Sequence, residues 1–150
     1  MDRGREARTG VPAVTDGPGK TNAHLRQIVE NTTELRMASR LSDAQMEVLS
    51  DLATIYPEAR MAVRNPRAKR NIPVVPVITA GTADIPVALE AATPLDAMGL
   101  PTATHFDVGV AGIHRPHSIL PGLAAARLCT APAGLSGARP AVVARLFPAT

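Results

Sequence analysis

Tryptophan is absent from this chain of 150 residues, and Tyr56, Phe106 and Phe147 are its whole aromatic content. The interior must therefore be built from Ala, Val, Leu and Ile, which the 45% hydrophobic fraction supplies in ample amount. With so few rings to stack on bases, and no zinc-finger or RNA-recognition pattern, the chain is not expected to have a nucleic-acid partner. A single cysteine, Cys129, excludes an internal disulfide and a cysteine metal cluster, and it suits a reducing compartment. His24, His105 and His117 lack a metal-ligand spacing, so no metal site is expected.

Lysine is almost missing as well: Lys20 and Lys69 stand alone, and the net charge of +3 rests on arginine. Arginine's planar fork suits phosphate and carboxylate, so an anionic small ligand fits this charge. No apolar run approaches the ~18 residues of a membrane helix. The opening MDRGREARTG lacks the apolar centre of a signal peptide. These absences lead to the expectation of a cytoplasmic chain with no membrane partner. A charged fraction of 19% with mean hydropathy of +0.06 is that of a folded rather than a disordered chain.

What is present changes in texture along the chain. Residues 1–20 are basic and rich in Gly and Pro, and read as an extended arm ending at GPGK. Residues 21–70 read as a small, mainly helical region with a linker. Leu25, Ile28, Val29 and Leu35 recur at helical spacing behind a Thr or Asn cap. SDAQ, with Ser42 three residues before Gln45, is a capping-box variant that opens a second helix, expected to end near Tyr56-Pro57. YPEARMAVRNPRAKRN reads either as a solvated linker or as a basic patch for phosphate.

From residue 71 strand and helix patterns alternate. IPVVPVITA reads as a buried strand whose ordered part begins late because of Pro73 and Pro76. IPVALEAATPLDAMG reads as a helix with Pro86 at its start, a kink at Pro94 and Gly99 as its stop. LPTATHFDVGV is a second strand, HSILPGLAAARL a helix, LCTAPAG a weaker strand and ARPAVVARLF a last helix. Such alternation predicts an α/β domain over 71–150 with a parallel sheet and crossover helices.

In open parallel sheets, ligands bind beyond the carboxyl ends of the strands. Three strand-to-helix loops gather there in this reading. AGTAD offers Gly81 for close backbone approach, the Thr82 hydroxyl, and Asp84, which either meets a ribose hydroxyl or caps the helix. DVGVAGIHRPH carries Asp107, Gly112, His114 and Arg115, an acid–base imidazole beside an anion-binding fork. APAGLSGARP contributes Gly134, Ser136 and Gly137, or is a plain tight connection. Cys129, among apolar neighbours, reads as buried filler rather than as a nucleophile.

TAGTADIPVALEA followed by DVGVAGIHR resembles the LarB family of nickel-pincer-nucleotide biosynthesis. DRGREARTGVPAV with GPGKT, and AGLSGARPAVVARL, are similar to that family's first segment and third loop. The resemblance implies a flavodoxin-like three-layer sandwich shared with the aminoimidazole ribonucleotide carboxylases of purine synthesis, and a homo-oligomer. It implies a nucleotide substrate, nicotinic acid adenine dinucleotide, with CO2 or bicarbonate as co-substrate. The family carboxylates the pyridinium ring and hydrolyses the phosphoanhydride, releasing AMP. A pyridinium is electrophilic and will not attack CO2; a thiolate added to the ring makes an enamine, whose carbon will. The family's nucleophile lies in a later segment than any here, and Cys129 does not match it. The expected sheet is therefore C-terminally incomplete, a partial nucleotide-binding domain that folds marginally alone. Asp107, His114 and Arg115 would carry catalysis; Gly81, Thr82, Asp84, Gly112, Gly134, Ser136 and Gly137 would bind substrate. The reading leaves room for Mg2+ and assigns no other cofactor.

Ala83 stands where the family has Ser, Ala13 where it has Glu, Pro116-His117 where it has leucines, and LSGAR where it has MEGAL. The imidazole carboxylases place a His in the third loop, where this chain has Ala138 and Arg139. The alternatives are a purine-type carboxylase or mutase and a non-catalytic nucleotide-binding or assembly remnant.

Overall fold

Strand β1 (Val14–Asp16) leads through GPGKT into helix α1 (Asn22–Glu30), then to β2 (Arg36–Ser39) and α2 (Asp43–Leu49). Strands β3 (Thr54–Tyr56), β4 (Met61–Arg64) and β5 (Val75–Ile78), helix α3 (Ile85–Ala97) and strand β6 (Thr102–His105) follow. The computed structural model describes residues 10–79 and 81–108. The chain is mixed α/β, with parallel strand pairs and three α-helices among the described residues. It divides into two compact units, one holding the residues up to Lys69 with Thr93–Gly99, the other Arg70–Ala92 with Leu100 onward. Among the described residues no helix is long and apolar enough to cross a membrane.

The first unit is built on a four-stranded sheet of order β1-β2-β4-β3. β1 runs parallel to β2, Thr15 opposite Ala38, which a crossover through α1 makes possible. β4 runs antiparallel to both β2 and β3. Leu25 and Val29 of α1 and Leu49 of α2 pack with Leu41 against Ala38 and Ala62, which face each other across β2 and β4. Met37 and Val63 alternate to the other face and are also buried, at 0% and 1% exposure. Strands buried on both faces lose the apolar–polar alternation that marks a half-exposed strand.

That is why the region 21–70 looked mainly helical. RMAS and MAVR are too short to show a period, and the arginines around them resemble a solvated connection. In the structure Met61, Ala62 and Val63 are core. The helix expected to run to Tyr56 stops at Leu49, where Leu52 and Ala53 N–H both donate to the Leu49 carbonyl. The chain then forms the β3–β4 hairpin over 57–60, closed by the Arg60 N–H on the Pro57 carbonyl with Arg60 at φ +50°. Leu35 lies beyond α1, and the arm contributes β1 as a sheet edge.

The local caps follow expectation. Thr21 accepts from the His24 N–H at 3.3 Å. The Ser42–Gln45 box is complete: Gln45 N–H donates to Ser42 Oγ (3.3 Å) and Ser42 N–H to Gln45 Oε1 (3.0 Å). Gln45 is buried, and its Nε2 also donates to the carbonyls of Gly17 and Lys20, both at 3.1 Å. One side chain thus holds the α2 start to the GPGK turn.

In the second unit β5 and β6 pair in parallel, from Val75 opposite Thr102 to Ile78 opposite His105. The Val75 N–H donates to Pro101 and the Thr79 N–H to His105. Odd-numbered residues therefore aim their N–H at β6, and Pro76, lacking one, sits where the β5–β6 ladder needs none. Pro86 occupies the first turn of α3, and Pro94 lies inside that helix. The ladder resumes beyond Pro94 with Met98 N–H on its carbonyl at 3.0 Å. Ala88 and Ala92 pack on Val77. Within the first unit, Arg67 N–H donates to the Ala97 carbonyl (2.8 Å) and Lys69 pairs with Asp96. The helices and third strand expected beyond residue 108 lie outside the described residues.

Candidate functional site

Two parallel strands that share a register end side by side, so the loops leaving them start as neighbours. β5 ends at Ile78 and β6 at His105, and these residues are register partners. Thr79 follows Ile78 and is fully buried. Its N–H donates to the His105 carbonyl at 2.9 Å, and its carbonyl accepts from the Val108 N–H at 2.9 Å. Its Oγ1 accepts from the Asp107 N–H at 3.2 Å. Three polar groups of one residue thus fasten the end of β6 and the start of the DVGV loop to the end of β5.

Asp107 is exposed and holds φ +56°, a left-handed conformation that few non-glycine residues adopt. Such outliers persist where the surroundings hold them, and they cluster at functional sites. On the β5 side Gly81 is extended at φ −144°, and among the described residues a Cβ added there would meet nothing within 4 Å. No described residue therefore fills the space over its backbone. Thr82 is exposed, and a short 3-10 turn over Thr82–Asp84 leads into α3, the Asp84 N–H donating to the Gly81 carbonyl at 3.2 Å. Among the described residues no side chain caps the turn that starts at Gly81. A helix start of this kind favours an anion.

The structure therefore brings the segment carrying Gly81, Thr82 and Asp84 and the segment carrying Asp107 to the same end of two adjacent strands. Gly112, His114, Arg115, Gly134, Ser136 and Gly137 lie outside the described residues, as does Cys129. Thr79 was not singled out from the sequence. The signal was there to read: a hydroxyl directly after an apolar strand, in VITAGT, has no apolar reason to be buried.

Several other charged places among the described residues have partners of their own. The GPGKT turn stands between a strand and a helix, an order that phosphate-binding loops share. Here Lys20 Nζ donates to the Asp16 carbonyl at 2.7 Å and the Thr21 hydroxyl is occupied by His24 N–H. Arg40 pairs with Asp16 through Nε and Nη2 and holds that carboxyl below its usual range. Arg26 grips Asp51 in bidentate fashion at 2.7 and 2.6 Å, also donates to the Val48 carbonyl, and lowers the Asp51 carboxyl likewise. An open depression of about 600 Å³ lies beside Asp51, bordered by residues 50–55 and 63–66. Arg64 on its border stands opposite Arg36 across β2 and β4, and among the described residues the buried Arg64 Nε has no hydrogen-bond acceptor. Among the described residues no group of three or more His, Cys, Asp and Glu gathers as a metal site would require.

No family model matches the chain. It is similar to the "Uncharacterized protein MJ0165" of Methanocaldococcus jannaschii, with 34% identity over 166 aligned residues that take in 97% of this chain. The chain spans 63% of the archaeal protein's length.

Proposed function

We propose that this chain is a nucleotide-binding protein of the LarB type, its second unit a flavodoxin-like domain that takes nicotinic acid adenine dinucleotide at the carboxyl ends of β5 and β6. In this reading the Gly81–Thr82 backbone approaches the phosphates over open space, and the α3 start favours their charge. Asp84 meets a ribose hydroxyl. Asp107, with His114 and Arg115, lines the pyridinium ring and its carboxylate, and Gly112, Gly134, Ser136 and Gly137 complete the pocket. The reaction is carboxylation of the ring by CO2 or bicarbonate with hydrolysis of the phosphoanhydride to AMP, and the thiolate step is not assigned to Cys129.

One observation supports this reading above the others. The two segments that carry the resemblance spring from adjacent parallel strands at one end and are stitched by Thr79. Ligands of open parallel sheets occupy that end. Incubation with nicotinic acid adenine dinucleotide and labelled bicarbonate tests the proposal. The expected products are AMP and a labelled pyridinium dicarboxylate. Binding without turnover leaves a nucleotide-binding role and removes the catalytic one. Turnover of aminoimidazole ribonucleotide instead replaces the substrate by the purine-pathway nucleotide.

A further inference from the structure

We propose that Thr79 is a positioning residue for this site: its buried hydroxyl sets the conformation of Asp107 and so presents the Asp107 carboxylate to the nucleotide. The inference rests on the nucleotide reading above.

A strand continuing straight past His105 would carry Asp107 along the β6 axis. Two hydrogen bonds to Thr79 prevent this, from Asp107 N–H to Oγ1 and from Val108 N–H to the main-chain carbonyl. Together they bend the chain at Asp107, which takes up φ +56°. The carbonyl bond needs only a backbone, so any residue at 79 could make it. The hydroxyl bond needs Ser or Thr. Thr is the better holder, because branching at Cβ stiffens χ1 and fixes the direction of Oγ1. Full burial adds to this, since Thr79 has no solvent into which its hydroxyl could turn. Thr79 also stands two positions before Gly81, so the residue that shapes one loop directly follows the strand that feeds the other.

Three variants separate positioning from simple support: Thr79→Val keeps the shape and loses the acceptor, Thr79→Ser keeps the acceptor, and Asp107→Ala removes the presented group. Amide exchange of Asp107 and Val108 and affinity for nicotinic acid adenine dinucleotide are measured on the full chain. Losing one such bond corresponds to roughly tenfold, so Thr79→Val should speed exchange at Asp107 and weaken binding by about that factor. Amides of Val77 and Ile78 should exchange at their original rate, and Thr79→Ser should stay within about twofold of the unmodified chain in both measurements. Added to Asp107→Ala, Thr79→Val should cost no further affinity. Unchanged exchange and affinity in Thr79→Val, or full additivity with Asp107→Ala, overturns the positioning role. Equal losses in the Ser and Val variants, with faster exchange along β5, overturn it too, since Thr79 then only supports the fold. Failure of the unmodified chain to bind the dinucleotide instead overturns the site reading itself, and the presentation of Asp107 to a nucleotide falls with it.

Discussion

Gly99 and Gly81 are both glycines at the border of α3, and the physics asks different things of them. Gly99 sits at φ +83°, and a Cβ built there would lie 2.3 Å from the Ala68 carbonyl oxygen. Backbone cannot yield as a flexible side-chain tip would. Gly99→Ala should therefore destabilise the chain by about 1–3 kcal/mol, read as a lower urea midpoint at unchanged slope. Gly81 has ordinary extended backbone and open space, so Gly81→Ala should leave the urea midpoint within about 0.5 kcal/mol of the parent. Any fall in dinucleotide affinity in that variant then reports the ligand's approach to the backbone. A stability loss as large as that of Gly99→Ala would show that Gly81 has a packing role instead.

The three helix starts and the stop of α3 were legible because near neighbours decide them, whereas the end of α2 at Leu49, expected near Tyr56-Pro57, was not. Thr21, Ser42 with Gln45, Pro86 and Gly99 each act within a turn or so of chain, and all lie where the pattern put them. Ser42→Ala removes one half of the α2 box and should cost about 1 kcal/mol in a denaturant titration. Gln45→Ala should cost more, about 2–3 kcal/mol, since it also strips the Gly17 and Lys20 carbonyls of a buried donor. Equal losses in the two variants would show that the bonds to the GPGK turn contribute nothing. β2, β3 and β4 escaped the pattern for a physical reason. β2 and β4 are strands because each pairs with the other across more than twenty residues and is buried on both faces, neither of which leaves a period in four residues, while β3 is only three residues of a hairpin with β4. β5 and β6 were legible because β-branched runs bounded by Gly and Pro mark a strand without the help of a partner.

Taken as a whole, the first unit carries two aspartates whose arginine partners depress their acidity, Asp16 through Arg40 and Asp51 through Arg26. A carboxyl more acidic in the folded chain than in the unfolded one stabilises the fold above the ordinary value of about 3.9. That contribution is lost as pH falls below this value toward the lower folded one. Stability should therefore decline on acidification from about pH 4 downward, measured as the urea midpoint across that range. Asp51→Asn keeps the shape without the charge and should flatten the decline. An unchanged acid profile in this variant would show that the Arg26 pair does not couple to folding. All four side chains are substantially exposed, so salt should weaken the effect.

The candidate site divides along the same line. Gly81, Thr82, Asp84 and Asp107 could be named from the sequence because small residues, a hydroxyl and acids at strand-to-helix junctions have a local meaning. That the segments carrying them share one end of adjacent strands is a matter of register, and register is set by packing across the sheet. Thr79 belongs wholly to that second category: its hydroxyl means nothing until β6 lies beside it and Asp107 turns back toward it. Composition, caps and strand-to-helix order were determined by the sequence alone, since they rest on residues a few positions apart. The four-stranded sheet, the buried MAVR strand and the fastening of one loop to another were decided only in three dimensions, because each is an interaction between segments that the chain keeps far apart until it folds.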